Sequence, residues 1–229
     1  MKRGDRDAKA FTRAGRQISM AVKAGGSDPD GNASLRRAIQ NARAANMPKD
    51  RIQNAIDKAM GVAGGEDFQE LLYEGYGPHG IALLVLTATD NPTRTVANLR
   101  TTFKKGDGNL GNSGSVAFMF DQFMTFRIDP AGIERDELEL ELIEDGLEAL
   151  VDGQDDDGKP QLLLRCAREN FGTLQAALES RKIAVVSSGI EWVPKTTTPL
   201  DEAQSDEVIA LIDKLDQDDD VQQVFHNLE

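Results

Sequence analysis

A multidomain α and α+β fold is predicted: an N-terminal helical bundle followed by two α+β units, the last ferredoxin-like and inserted in the second. Three observations carry this. Charge is segregated along the 229 residues. Apolar spacing changes from a helical period in the first sixty residues to mixed strand and helix periods afterwards. From about residue 122 the elements follow in the order β-α-β-β-α-β.

Residues 1–60 hold 13 Lys and Arg against 6 Asp and Glu, a net +7, whereas residues 61–229 hold 13 against 33, a net −20. A basic module on an acidic body points to a polyanionic partner for the module. The overall charge of −13 excludes a uniformly basic nucleic-acid binder. A single cysteine, Cys166, excludes an intramolecular disulfide framework and a multi-cysteine metal site. No apolar run reaches membrane-spanning length, and no apolar stretch follows the N-terminal charges, so a cytoplasmic protein is expected.

The first helix is expected over 7–24, with Phe11, Ala14, Ile18 and Val22 on one face and Lys9, Arg13, Arg16 and Lys23 on another. Gly25-Gly26 ends it and Asp28-Pro29-Asp30 turns the chain. A second helix at 32–45 buries Leu35, Ala38, Ile39 and Ala42 and leaves Arg36 and Arg43 outside. Pro48 opens a third helix over 48–60 as a first-turn residue, with Asp50 favourable near the helix dipole. Its stripe is Ile52, Ala55, Ile56 and Ala59, with Lys49, Arg51 and Lys58 outside. Outward cations on such a bundle can pair with phosphates and release counterions; the competing reading is that they only solubilise exposed helices. Phe11 is the only aromatic among them, so backbone contacts are favoured over base stacking.

After a Gly64-Gly65 break, strands are expected at 68–76 and 81–89, a helix at 92–105, a Gly-rich loop at 106–111 and a strand at 115–120. The inserted unit then reads as strand 122–128, helix 134–146, strands 147–152 and 161–167, helix 169–182 and strand 184–193. A helix at 201–215 and a strand at 221–226 rejoin the preceding unit. The resulting domains are 1–63, 64–121 with 196–229, and 122–195.

Several chemistries are offered by letter and declined by context. Gly106-Asp107-Gly108-Asn109-Leu110-Gly111 fits G-x-G-x-x-G but follows a helix and precedes a strand, the reverse of a dinucleotide site. A turn with positive φ glycines is expected instead. Asp155-Asp156-Asp157-Gly158 lacks calcium-loop spacing and reads as a hairpin tip. His79 and His226, the only histidines, form no zinc pair. Cys166 reads as a small core residue. No catalytic residue, metal or cofactor is expected. Tyr73-Glu74-Gly75-Tyr76-Gly77-Pro78-His79-Gly80, with Asp90 and Arg94, is either a strand end and turn or a contact turn of Tyr73, Tyr76, His79, Asp90 and Arg94.

The runs Gly25-Gly26 with Asp28-Pro29-Asp30, Asn46-Met47-Pro48-Lys49-Asp50 and Tyr73 to Gly80 resemble the YebC/PmpR family. So do Thr89-Asp90-Asn91 with Arg94-Thr95, Gly108-Asn109-Leu110-Gly111 with Gly114-Ser115-Val116, and Glu137-Leu138-Glu139. The resemblance covers nearly the whole chain in order. It implies three domains, the last inserted into the second, and a probable transcriptional regulatory, DNA-binding protein. The family also includes mitochondrial translational activators and ribosome-associated factors that relieve stalling. Members begin with a longer basic arm carrying a His-Ser-Lys-Trp stretch, whereas this chain reaches Lys9 to Arg13 almost at once.

The expected function is therefore a non-enzymatic nucleic-acid-binding regulator of gene expression, with a ribosome-associated translation factor contacting ribosomal RNA as the alternative. Lys9, Arg13, Arg16, Lys23, Arg36, Arg37, Arg43, Lys49 and Arg51 are the expected phosphate contacts. An enzyme with its cleft near His79, Asp90 and Arg94, and a pure protein scaffold, are the rival classes.

Overall fold

Residues 3–61, 67–155 and 157–229 are described by the computed structural model. They divide into two compact units, one formed by residues 1–121 with 193–229 and the other by residues 122–192. Gly64-Gly65 and Asp156 lie outside the described residues.

The first unit begins with three helices, α1 (Arg3–Gly25), α2 (Ala33–Ala44) and α3 (Lys49–Met60). Their apolar stripes meet in one core of Ala14, Ile18, Val22, Leu35, Ala38, Ala42, Met47, Ile52 and Ile56. Burial of these stripes, rather than propensity, holds helices of this length. The α1–α2 turn is closed by Asn32, which is buried. Its carbonyl accepts from the Leu35 amide at 3.1 Å, and its amide donates to the Ala21 and Gly26 carbonyls at 2.8 Å each. Pro48 is the N-cap of α3, with extended backbone, rather than a first-turn residue; helical geometry starts at Lys49, and Asp50 occupies the first turn as expected.

A four-stranded antiparallel sheet follows, in the order β3-β1-β2-β8, from β1 (Gln69–Tyr76), β2 (Ala82–Thr89), β3 (Asn109–Leu110) and β8 (Val221–His226). One face is covered by α4 (Pro92–Lys105) and α7 (Glu202–Asp216). There Ile81, Leu83, Val85, Leu99, Phe103, Val208, Leu211 and Leu215 form the second core. α7 starts with a capping box between Asp201 and Gln204.

The strand expected at 115–120 is absent. Residues 117–119 form a 3-10 turn, and the next strand, β4 (Phe120–Ile128), starts at Phe120. The physical reason is Glu74, which is buried. Its carboxylate accepts from the amides of Gly114 at 2.6 Å, Val116 at 2.7 Å and Ala117 at 2.8 Å, taking donors that a strand ladder would need. The Gly-rich turn before it differs too: none of Gly106, Gly108 and Gly111 has positive φ, and Asp107 does, at 55°. Gly108 is needed for close approach, because a Cβ there would lie 2.5 Å from the Tyr76 carbonyl oxygen.

The second unit runs from β4 through α5 (Arg135–Leu142), β5 (Leu147–Gln154), β6 (Pro160–Cys166) and α6 (Phe171–Ser180) to β7 (Val185–Pro194). Its sheet has the order β5-β6-β4-β7. Met124, Phe126, Ile128, Leu138, Leu142, Leu164, Leu174 and Leu178 form the core beneath the helices, with Phe126 stacked on Phe171 at 4.6 Å. Cys166 is buried in this core, and burial pushes its thiol up to about 11. Asp155 organises the β5–β6 hairpin tip, accepting from the amides of Asp157 and Lys159.

Candidate nucleic-acid interface

Amphipathic geometry sends the bundle's cations outward, but their surroundings divide them. Arg13 donates from Nε to the Val221 carbonyl at 3.0 Å and from Nη2 to the Asp216 carboxylate at 2.6 Å. Arg16 donates to the Ala88 carbonyl at 2.7 Å and to Asp220 Oδ1 at 2.9 Å, with its guanidinium 4.9 Å from the centre of the Phe68 ring. Lys9 is half-buried on the same side. Burial lowers its pKa, while Asp216 opposes that. Arg13 and Arg16 fasten α1 to the end of α7 and the start of β8. Lys23 reaches Asp67 at 3.4 Å.

The remaining expected contacts behave differently. Arg36 is exposed and donates to the carbonyls of Pro29 at 2.7 Å and Asp30 at 2.8 Å. Those acceptors are neutral, so its positive charge stays on the surface. Arg37 is half-buried. Arg43 in the last turn of α2 and Lys49 at the start of α3 are exposed and flank one turn, where Asn46 adopts φ 59°. Arg51 is also exposed, with its guanidinium 5.4 Å from the centre of the Phe11 ring. α2 contains no Asp or Glu. Arg36, Arg43, Lys49 and Arg51 are therefore the expected contacts that stand exposed with no carboxylate partner among the described residues.

Asp220, which sequence reasoning passed over, is the hub under α1. Besides Arg16 it accepts from Arg94 Nη2 at 3.0 Å and from the Thr95 hydroxyl at 2.7 Å, with the Thr89 hydroxyl at 3.3 Å. Burial raises its pKa more than any single partner lowers it, yet Thr95, Arg94 and Arg16 together hold it below the ordinary carboxylate value. The sequence offered only one hint, the run Asp218-Asp219-Asp220 before a strand.

The proposed contact turn is not one site. Tyr76 and Ala82 are register partners at one end of the β1–β2 pair, and Gln69 and Thr89 at the other. Eight-residue strands put these ends about 24 Å apart. His79, in left-handed backbone, lies at the first end and pairs with Glu207 at 2.7 Å. Asp90 lies at the second and pairs with Arg94 at 2.8 Å. Tyr76 is exposed, with its hydroxyl toward the Ser115 carbonyl at 3.4 Å. Tyr73 packs in the core beneath α4, and burial raises its hydroxyl pKa. Among the described residues, no group of three His, Cys, Asp or Glu side chains is arranged to hold a metal, and no helix is long and apolar enough to cross a membrane.

Comparison with known proteins matches the chain in two parts. Residues 1–62 match the TACO1/YebC protein N-terminal domain, and residues 68–228 match the TACO1/YebC second and third domain. A probable transcriptional regulatory protein of Myxococcus xanthus (strain DK1622) is 53% identical over 228 residues, covering 100% of this chain and 95% of that protein. One from Anaeromyxobacter dehalogenans (strain 2CP-C) is 52% identical, covering 99% and 94%. The crystal structure of a conserved hypothetical protein, Aq1575 from Aquifex aeolicus, superposes with a TM-score of 0.84 at 36% identity, covering 97% of this chain and 90% of that one. With both parts matched in order and identity above one half along the full length, the chain belongs to the TACO1/YebC family.

Proposed function

We propose that this protein is a non-enzymatic regulator of gene expression that binds the phosphate backbone of nucleic acid, duplex DNA in the first instance, through its N-terminal helices. The observation that carries this reading is the acid-free α2, whose exposed Arg36 and Arg43, like Lys49 and Arg51 at the start of α3, have no carboxylate closing on them among the described residues. Cations held this way gain counterion-release energy from a polyanion without first breaking an ion pair. The names of the relatives, probable transcriptional regulatory proteins, agree with it. The same reading takes the chain as three domains, 1–63, 64–121 with 196–229, and an inserted ferredoxin-like 122–195. The acidic remainder repels the polymer and restricts how it docks.

Titration of the full chain against a labelled DNA duplex and against an RNA hairpin of equal length tests the proposal. Salt-sensitive binding to the duplex is expected. Tighter binding to the hairpin would favour the ribosomal RNA reading of the same surface, and no binding to either at low salt would remove the nucleic-acid reading.

A further inference from the structure

We infer that the second half of α4 is a second phosphate-backbone contact, formed by Arg100, Lys104 and Lys105 and gripping the same nucleic acid as the N-terminal helices. The inference rests on the reading above. Residues 61–229 carry 33 acids, yet the fourteen residues of α4 contain four cations and no acid. Arg100, Lys104 and Lys105 are exposed, and among the described residues none of them enters an ion pair or hydrogen bond. Elsewhere in this region Arg135, Arg165, Arg181 and Lys195 have carboxylate partners, and the cations without one among the described residues, such as Lys159, Arg168 and Lys182, are not gathered on one acid-free helix.

A purely solubilising helix face carries acids and bases together, because i,i+4 pairs of opposite sign stabilise it. Lys104 and Lys105 suit the helix C-terminus. Arg100, a turn earlier, gains nothing there, and the dipole does not account for the absence of acids. Two polar side chains of the helix are engaged within the protein: Thr101 donates to the Ala97 carbonyl at 2.9 Å and Asn98 to Asp218 at 3.3 Å. The cations are what this face offers.

The first turn of α4 is joined to α1 of the bundle. Arg94 in the first turn of α4 and Arg16 of α1 share the Asp220 carboxylate, so α4 starts against the bundle. Lys104 is ten residues further, about 15 Å along the helix axis. A duplex carries one charge per roughly 1.7 Å of axis, so about nine phosphates fall within that span.

The test is the salt dependence of binding to a labelled DNA duplex of about 20 base pairs, with neutralised variants of the full chain. Arg100→Gln with Lys104→Gln and Lys105→Gln should lower the slope of log affinity against log salt by about 2.7, close to 0.9 for each lost contact. The double variant Lys104→Gln with Lys105→Gln should lower it by about 1.8 and protects against a folding defect in the triple. Lys159→Gln with Arg168→Gln and Lys182→Gln makes the same change in net charge on the second unit and should leave the slope unmoved. A slope unchanged in both α4 variants, or lowered equally by the control, overturns the inference. If Arg43→Gln with Lys49→Gln weakens binding while the α4 variants do not, the second contact is wrong and the nucleic-acid reading stands. If the unaltered chain binds no duplex, both fall together.

Discussion

Glu74 shows how one side chain sets a loop. Three amides converge on a buried carboxylate, and although burial raises its pKa, those hydrogen bonds hold it below the ordinary value. Replacing it with Gln turns one acceptor into a donor facing a donor. Glu74→Gln should cost about 2 kcal/mol and accelerate hydrogen exchange at Gly114, Val116 and Ala117, read by mass spectrometry. Asp220 and His226 also link stability to pH. The carboxylate of Asp220 has a depressed folded value, so its stabilisation is present above the unfolded value of about 3.9 and is lost as pH falls from there through the folded value. Asp220→Asn should cost roughly 3 kcal/mol at neutral pH and flatten the acid limb of a plot of stability against pH. His226 is pushed down by burial, with its backbone hydrogen bond to Leu228 opposing, and its Nδ1 has no hydrogen-bond partner among the described residues. The unfolded imidazole therefore takes a proton first, and stability declines as pH drops below about 6.5. His226→Gln should remove that decline, as followed by chemical denaturation at several pH values.

Among elements, regular periods were legible and exceptions were not. The helix at 92–105 and the strand at 221–226 coincide with α4 and β8, because their apolar spacing has one period from end to end and clear stops, such as Pro92 and Gly106. The expected strand at 115–120 failed because its apolar run looks extended, while the group that bends it, Glu74, lies some forty residues earlier. The two-residue β3 was read as loop because only its pairing with Gly75 and Tyr76 makes it a strand. At the interface, helical spacing placed Arg13 and Arg16 on an outward face. It could not show that Asp216 and Asp220 would meet them from some two hundred residues away. The same blindness hid the exposed cations of α4, whose signal was the absence of acids rather than a motif. Between α1 and α2, Asn32 satisfies three backbone groups, so Asn32→Ala should lower stability by about 2 kcal/mol, seen as a fall in thermal midpoint.

At the scale of the molecule, the cations of the first sixty residues fall into two groups. Arg13 and Arg16 hold the bundle to the acidic end of α7 and the start of β8, and the outward side of α2 and the turn after it keep exposed cations, which on the proposed reading meet the nucleic acid. The account therefore separates variants that loosen the structure from variants that loosen binding. The most direct measurement compares duplex DNA affinity and thermal midpoint for Arg43→Glu with Lys49→Glu against Arg13→Gln. The first variant is predicted to lose at least about tenfold in affinity at moderate salt with its midpoint unchanged, and the second to melt earlier while binding with near-parental affinity below its midpoint. Parental affinity in the first variant, or a binding loss in the second that exceeds it, would contradict the placement of the interface on α2 and the α2–α3 turn.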